Sequence, residues 1–268
     1  MAPFEYALER RFDAFEWFPD KKPDGAGWDE RVLSPCVRAD IRKAARACSM
    51  RLSVHARWTI NPLSPEADLL LNRDLELAED LAASTLVVHL YSEEGVAAHA
   101  TAILSTLRLA VSKSIWLAVE NTPKTTPQDF NQLFAGLRAS NPPGLGGVGM
   151  CLDLGHANLC ATTRNDYLAF IDQLDAQVPI IHLHAHENWG DADSHLPLFT
   201  GPSARDGAGL RGFVARMKRR GFSGSVILEQ WPQPPSLLDQ AREGLLRLWN
   251  EDEGKQRAGC EDLKPRSP

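Results

Sequence analysis

Short apolar runs recur along the chain, separated by stretches of helical periodicity, and this alternation limits the fold more than any other feature. The runs are FEWF (15–18), LSVHA (52–56), TLVVHL (85–90), IWLAVE (115–120), VGMCLDL (148–154), PIIHLHAH (179–186) and SVILEQ (225–230). Near-continuous apolar strands between helices mean a parallel sheet with both faces covered. Helical spacing of leucine marks 69–84 and 96–114, and 126–140 opens with Thr126 as N-cap followed by Pro127 and Asp129. GLRGFVARMKRRGF (209–222) ends in a basic turn and a glycine, a normal helix stop. Strand ends near 55, 89, 120, 153, 184 and 229 are spaced mostly by one βα unit, which predicts an α/β fold of (β/α) TIM-barrel type. A doubly wound open sheet is the competing arrangement. Against it, no GxGxxG or GxxxxGK[ST] follows an early strand, and GLGGVG (144–149) precedes a strand, as a turn would.

The strand cues number seven, not eight, and only the helix-like FEYALERRF precedes FEWF. The first strand is therefore expected to be missing or displaced, or the chain to start late. Residues 1–249 are expected to form one barrel domain, and the polar stretch 250–268 a disordered tail.

With 268 residues, 43% of them hydrophobic, the chain can bury one large core. Its 29 basic and 35 acidic residues give −6, which excludes a basic nucleic-acid arm but not a nucleic-acid ligand, because bound cations can supply a positive field. The five cysteines (Cys36, Cys48, Cys151, Cys160 and Cys260) are odd in number and not closely paired, which argues against a disulfide framework and for a reducing cytoplasm. No run is of signal-peptide type or long enough to span a membrane, so no membrane partner is expected.

Nearly every apolar run carries a metal-competent side chain near its C-terminal end: His55, His89, Glu120, Asp153 with His156 three residues on, His184 and Glu229. In a barrel those ends share one mouth. Any one of them alone is an ordinary strand-end residue. Three acids late in apolar runs are another matter, since each is costly to bury unless paired or metal-bound. HLHAHENWGDADSH (182–195) adds four of the chain's eight histidines. His182, His184 and His186 share one face if the strand alternates. His184 stands at ligand height, His182 lies deeper with a core or supporting role, and Asp193 and His195 can return to the mouth from the loop.

The pattern resembles the xylose isomerase-like barrels, and among them the endonuclease IV (apurinic/apyrimidinic endonuclease family 2) family. SVHARWTINPLSP is similar to that family's HAPYLINLASP, AVENTP to its ENT strand end, CLDLGHAN to CLDTCHA, HAHEN with DSH to HLNDS with DRH, and VILEQ to ILET. The resemblance runs over about residues 12–232 and implies three ligand sets: His55, His89 and Glu120; Glu120, Asp153, His184 and Glu229; and His156, Asp193 and His195. It implies divalent metal, zinc in up to three sites, with manganese or iron compatible. The expected activity is phosphoester hydrolysis, with Glu120 and Glu229 as catalytic groups and abasic DNA or a small phosphorylated compound as substrate.

HENWGDADSHLPL also resembles the HDNDG…DEHLPLG stretch of proteins labelled sugar-phosphate isomerases or epimerases, which hold one Mn, Mg or Co on the equivalents of Glu120, Asp153, His184 and Glu229. The alternative is therefore a sugar isomerase, epimerase or dehydratase. The chain departs from that pattern at Phe199, where a glycine is usual. Trp58 in HARW stands where the nuclease family has an aromatic wedge, with Lys21 and Lys22 in the preceding loop. Trp58 and His186 are the expected substrate contacts, and a sugar platform fits Trp58 as well as DNA does. A barrel that binds metal without catalysis is the third possibility.

Overall fold

Seven parallel strands, hydrogen-bonded in chain order, form the sheet of this computed structural model, which describes residues 1–21, 27–205 and 207–261. They are β1 (Ala14–Trp17), β2 (Arg51–His55), β3 (Thr85–His89), β4 (Trp116–Glu120), β5 (Val148–Asp153), β6 (Ile180–His184) and β7 (Ser225–Ile227). The unbroken order, with no reversal, gives a nearly closed TIM-type barrel and rules out the doubly wound sheet. Each apolar run becomes a strand within a few residues of its expected bounds. The largest departure is β7, which stops at Ile227 and leaves Glu229 on the loop beyond.

Helices cover the outside. They are α1 (Ala2–Glu9), α2 (Pro35–Ala47), α3 (Ala67–Leu81), α4 (Val96–Ala102), α5 (Leu104–Ser112), α6 (Pro127–Ser140), α7 (Leu154–Leu159), α8 (Tyr167–Asp172), α9 (Ala208–Arg219) and α10 (Ser236–Glu261). The Thr126 signal forms a full capping box, with Asp129 N donating to Thr126 Oγ1 at 3.4 Å and Thr126 N to Asp129 Oδ2 at 2.7 Å. The 96–114 stretch divides into two helices joined at Ile103. The stretch from 250, expected to be a disordered tail, continues α10 as helix to Glu261, while 262–268 lie outside the described residues. No helix among the described residues is long and apolar enough to cross a membrane.

Strand alternation divides the core. Outward residues such as Leu117, Val119, Met150 and Leu152 join the main apolar cluster beneath the helices. Inside the barrel, Val87, Ala118 and Cys151 form a separate small cluster. The interior is therefore narrow-sided and partly polar, where such barrels usually hold bulky aliphatic layers.

The missing strand is real among the described residues. β1 and β7 lie side by side, but no ladder joins them. α1 lies across β1: the Phe4 ring packs 5.3 Å from Phe15 and 5.2 Å from Trp17. Tyr6 Oη donates to Asp239 Oδ2 at 2.9 Å, fastening α1 to α10.

Candidate metal centre

The centre is built on β4. In WLAVE, Leu117 and Val119 face the helices, so Ala118 and Glu120 must face inward. The Glu120 side chain is only 1% exposed. A lone carboxylate there would be untenable. Its neighbours are the ends of β2, β3, β5 and β6.

The first expected set assembles around Glu120 Oε2. His55 Nε2 lies 2.8 Å away and His89 Nε2 3.5 Å away. His55 Nδ1 sits 2.6 Å from the carbonyl oxygen of Ala56, which holds that nitrogen as the donor and turns Nε2 to the centre.

The second set converges on His184 Nδ1. Glu229 Oε2 stands 3.0 Å from it, Glu120 Oε1 3.4 Å and Asp153 Oδ2 3.8 Å. All four atoms are buried and none has a hydrogen-bond partner. Asp153 presents Oδ2 because Oδ1 caps α7, accepting from His156 N at 2.6 Å. That is the local reason for the DLGH spacing. Asn121 steadies the same strand end, giving its amide to Asp153 O at 2.9 Å and accepting from Asp153 N at 2.8 Å.

The third set depends on a pinched loop. Glu187 and Leu196 pair through both backbone groups, at 2.8 and 2.9 Å, which returns Asp193 and His195 to the mouth. The Glu187 carboxylate accepts from Gly201 N at 2.8 Å and Ser203 N at 3.1 Å, fixing the far side of the loop. Asp193 Oδ2 is then 3.2 Å from His156 Nε2 and 3.3 Å from His195 Nε2. The opposite nitrogens, His156 Nδ1 and His195 Nδ1, each lie 2.8 Å from a carbonyl oxygen, of Asn121 and Glu229 respectively.

Electrostatics match this crowding. Burial opposes a charge on His55, but the Glu120 carboxylate wins and raises the pKa to about 9. His195 is likewise raised to about 9, against burial, by Asp193 and Glu229. His156 and His184 are held well above the usual range despite burial, His156 by the carboxylates around it and His184 by Cys151 and then by Glu16, Glu120 and Glu229. The same pairs hold Glu120 and Asp153 ionised in spite of burial. Without a cation, the centre is compensated by protons on His55, His156, His184 and His195. A divalent ion supplies the same compensation and also occupies the four orphaned atoms of the second set, so the residues fit a metal.

Two further side chains belong to the cluster. Glu16 in FEWF points inward because Phe15 and Trp17 face α1. Its Oε1 lies 2.8 Å from His184 Nε2, and its Oε2 lies 2.9 Å from His182 Nε2 and 2.7 Å from Ser53 Oγ. It is the buried carboxylate behind the candidate ligand His184, held below its ordinary pKa by His184 and His182 against the burial penalty. No motif marks Glu16; the only signal is one acid in an aromatic strand. His186, expected at the substrate, is buried within the ligand cluster instead. Its Nε2 is 3.2 Å from Asp153 Oδ1, and its ring stacks on His195 at 4.1 Å. Gly155 makes room for it, since a Cβ there would lie 1.8 Å from the imidazole.

At the rim, Trp58 is half exposed and donates through Nε1 to Asp20 Oδ1 at 3.2 Å. Trp189 and Trp231 are also exposed on mouth loops, and the His195 ring lies 5.7 Å from Trp231. Lys21 pairs with Asp29 at 3.5 Å rather than facing the centre, and Lys22 lies outside the described residues. Phe199 keeps a left-handed φ of 67°, the geometry that favours glycine, at a cost of about 1–2 kcal/mol. Its ring covers Gly244 of α10, where a Cβ would come within 2.3 Å.

A family model described as a xylose isomerase-like TIM barrel matches residues 4–249. The chain belongs to the xylose isomerase-like TIM barrel family. A curated relative, the uncharacterized protein MJ1311 of Methanocaldococcus jannaschii, is 26% identical over 133 residues, which is 46% of this chain and 39% of the relative. Among solved structures, a D-tagatose 3-epimerase-like protein superposes with a TM-score of 0.69 at 22% identity, covering 92% of this chain and 93% of its own. A Thermus thermophilus protein, TTHB071, soaked with zinc chloride, superposes with a TM-score of 0.62 at 22% identity, covering 90% and 99%. A D-psicose 3-epimerase with D-fructose gives 0.65 at 15% identity, covering 93% and 92%. These likenesses are of fold.

Proposed function

We propose that the chain is a divalent-metal-dependent enzyme that isomerises or epimerises a small sugar or sugar phosphate. The observation that carries this reading is the convergence of four orphaned buried atoms, from Glu120, Asp153, His184 and Glu229, at one point of the mouth. Epimerases among the solved structures of similar fold support the choice of reaction. A bound Mn²⁺, Co²⁺, Mg²⁺ or Zn²⁺ would polarise vicinal substrate oxygens and so acidify the adjoining C–H. Glu229, with 28% of its side chain exposed, is the carboxylate of the set that meets the open mouth, and it is assigned the proton transfer to and from carbon. Glu120 is sealed behind it and positions the set. Exposed Trp58, Trp189 and Trp231 offer flat apolar faces for a sugar ring. The test is a panel of ketoses and ketose phosphates with each metal in deuterium oxide, followed by NMR. Deuterium at the carbon beside the carbonyl supports the reading. No exchange and no turnover with any member sinks it.

A second reading is phosphoester hydrolysis at a three-ion zinc centre of endonuclease IV type, acting on abasic DNA or a smaller phosphoester. It is favoured by the first and third sets, in which His55, His156 and His195 each have the outward nitrogen fixed on a carbonyl oxygen. It requires about three zinc per chain. One ion per chain, with neither an abasic oligonucleotide nor an activated phosphodiester cleaved, would discard it.

A further inference from the structure

The gap between β1 and β7 is not filled by side chains. It holds a cavity of about 710 Å³. An apolar cleft of this size leaves wall area that gains dispersion contacts only when something occupies it. Phe15, Phe18, Ile227 and Leu228 line its length, and Trp231 stands at its rim. At its inner end are His55, Glu16 and Glu229, so the cavity opens onto the metal centre from the side. A volume of this size, mostly apolar with a few convergent polar groups, is the pattern of a small-molecule site.

We propose that this gap is a second arm of the binding site, taking the apolar body of an amphipathic small molecule whose polar head sits at the metal centre beside Glu229 and His55. α1 argues for a small molecule over an added strand. Tyr6 Oη bonds Asp239 Oδ2 at 2.9 Å and the carbonyl of Pro235 at 3.2 Å, and Arg10 lies 3.6 Å from Asp239. The helix thus spans the outside of the gap and forms one wall of the cavity through Ala2, Pro3, Tyr6 and Ala7, where an added strand would have to lie. The inference rests on the metal reading of the centre, but not on which reaction occurs there.

The test uses the zinc-loaded protein and calorimetric titration with acetohydroxamate, hexanohydroxamate and octanohydroxamate. The three share one chelating head and differ in tail length. The cavity predicts that affinity rises two- to fourfold for each added methylene, the order expected for burying a CH₂. Ala14→Phe and Leu238→Trp narrow the gap from opposite walls, and a variant that fails to fold is replaced by the other. Either should flatten the tail dependence to less than about twofold across the series and leave acetohydroxamate binding unchanged. Equal affinities for the three ligands overturn the proposal, and are the result if a second copy or further chain occupies the gap. A tail effect that survives in both variants also overturns it. If acetohydroxamate itself does not bind, the metal reading fails and the two-armed ligand with it.

Discussion

Glu120 touches more of the centre than any other side chain, since its two oxygens belong to different ligand sets. Glu120→Gln should therefore lower metal content per chain at two positions, read by elemental analysis after dialysis. Full metal content in that variant would remove the bridging role. Glu16→Gln is the subtler change. It leaves every mouth ligand in place but takes the charge from behind His184, and metal affinity should fall about 10- to 100-fold in chelator competition. The histidines also fix a pH signature. His55 and His195 have folded pKa values of about 9, above an ordinary 6.5, so their protonation stabilises the metal-free chain fully below 6.5 and is lost as pH rises to 9. The chelated protein should lose thermal stability across that window, while zinc affinity rises because protons no longer compete. A chelated protein that gained stability there would contradict the assignment. The convergence of His55, His89, Glu120, Asp153, His184 and Glu229 was legible because each stands near the end of an apolar run, whereas His156, Asp193 and His195 lie beyond one. Glu16 was not, because its partners His182 and His184 are over 160 residues away and its own run has no such ending.

Elements decide where those residues arrive. The Glu187–Leu196 backbone pair returns the third set to the mouth, and the Glu187 carboxylate anchors the segment beyond it at Gly201 and Ser203. Glu187→Ala should loosen Asp193 and His195, lowering the metal content by about one ion while leaving the first two sets loaded. Unchanged stoichiometry would show that the loop is held otherwise. α3 carries a different kind of burden. Asp74 is fully buried there, neither oxygen makes a well-formed hydrogen bond, and burial raises its pKa to about 7 against the opposing pull of Arg57. Its folded value exceeds the unfolded one, so its favourable contribution belongs to low pH and vanishes as pH passes 7. Asp74→Asn should therefore stabilise the protein at pH 8 by about 1–3 kcal/mol in urea unfolding. The strands were readable as apolar runs, and the α6 cap as residue types at fixed offsets. The break between α4 and α5 and the early end of β7 were not. Both are set by what packs against the segment, which local periodicity does not encode.

At the scale of the whole molecule, ions would tie together side chains from β2, β3, β4, β5, β6 and the loops after β6 and β7. Metal loading should raise the unfolding midpoint by about 4 °C or more, the shift that roughly 2 kcal/mol of preferential binding produces in a chain this size. Equal midpoints with and without chelator would mean no metal is held tightly by the native state. The seven-strand count was already visible in the spacing of the apolar runs. What the count meant was not, because nothing in a one-dimensional pattern says whether a ring closes over a gap or leaves it open. The open seam gives the sheet two ends, and ends fray. Backbone amides on the facing sides of β1 and β7 have no ladder partner, whereas β4 and β5 are flanked on both sides. Hydrogen exchange should start at the seam and run inward, so that the strands farthest from the break keep time for the rest: a clock hand circling from β1 and β7 toward β4.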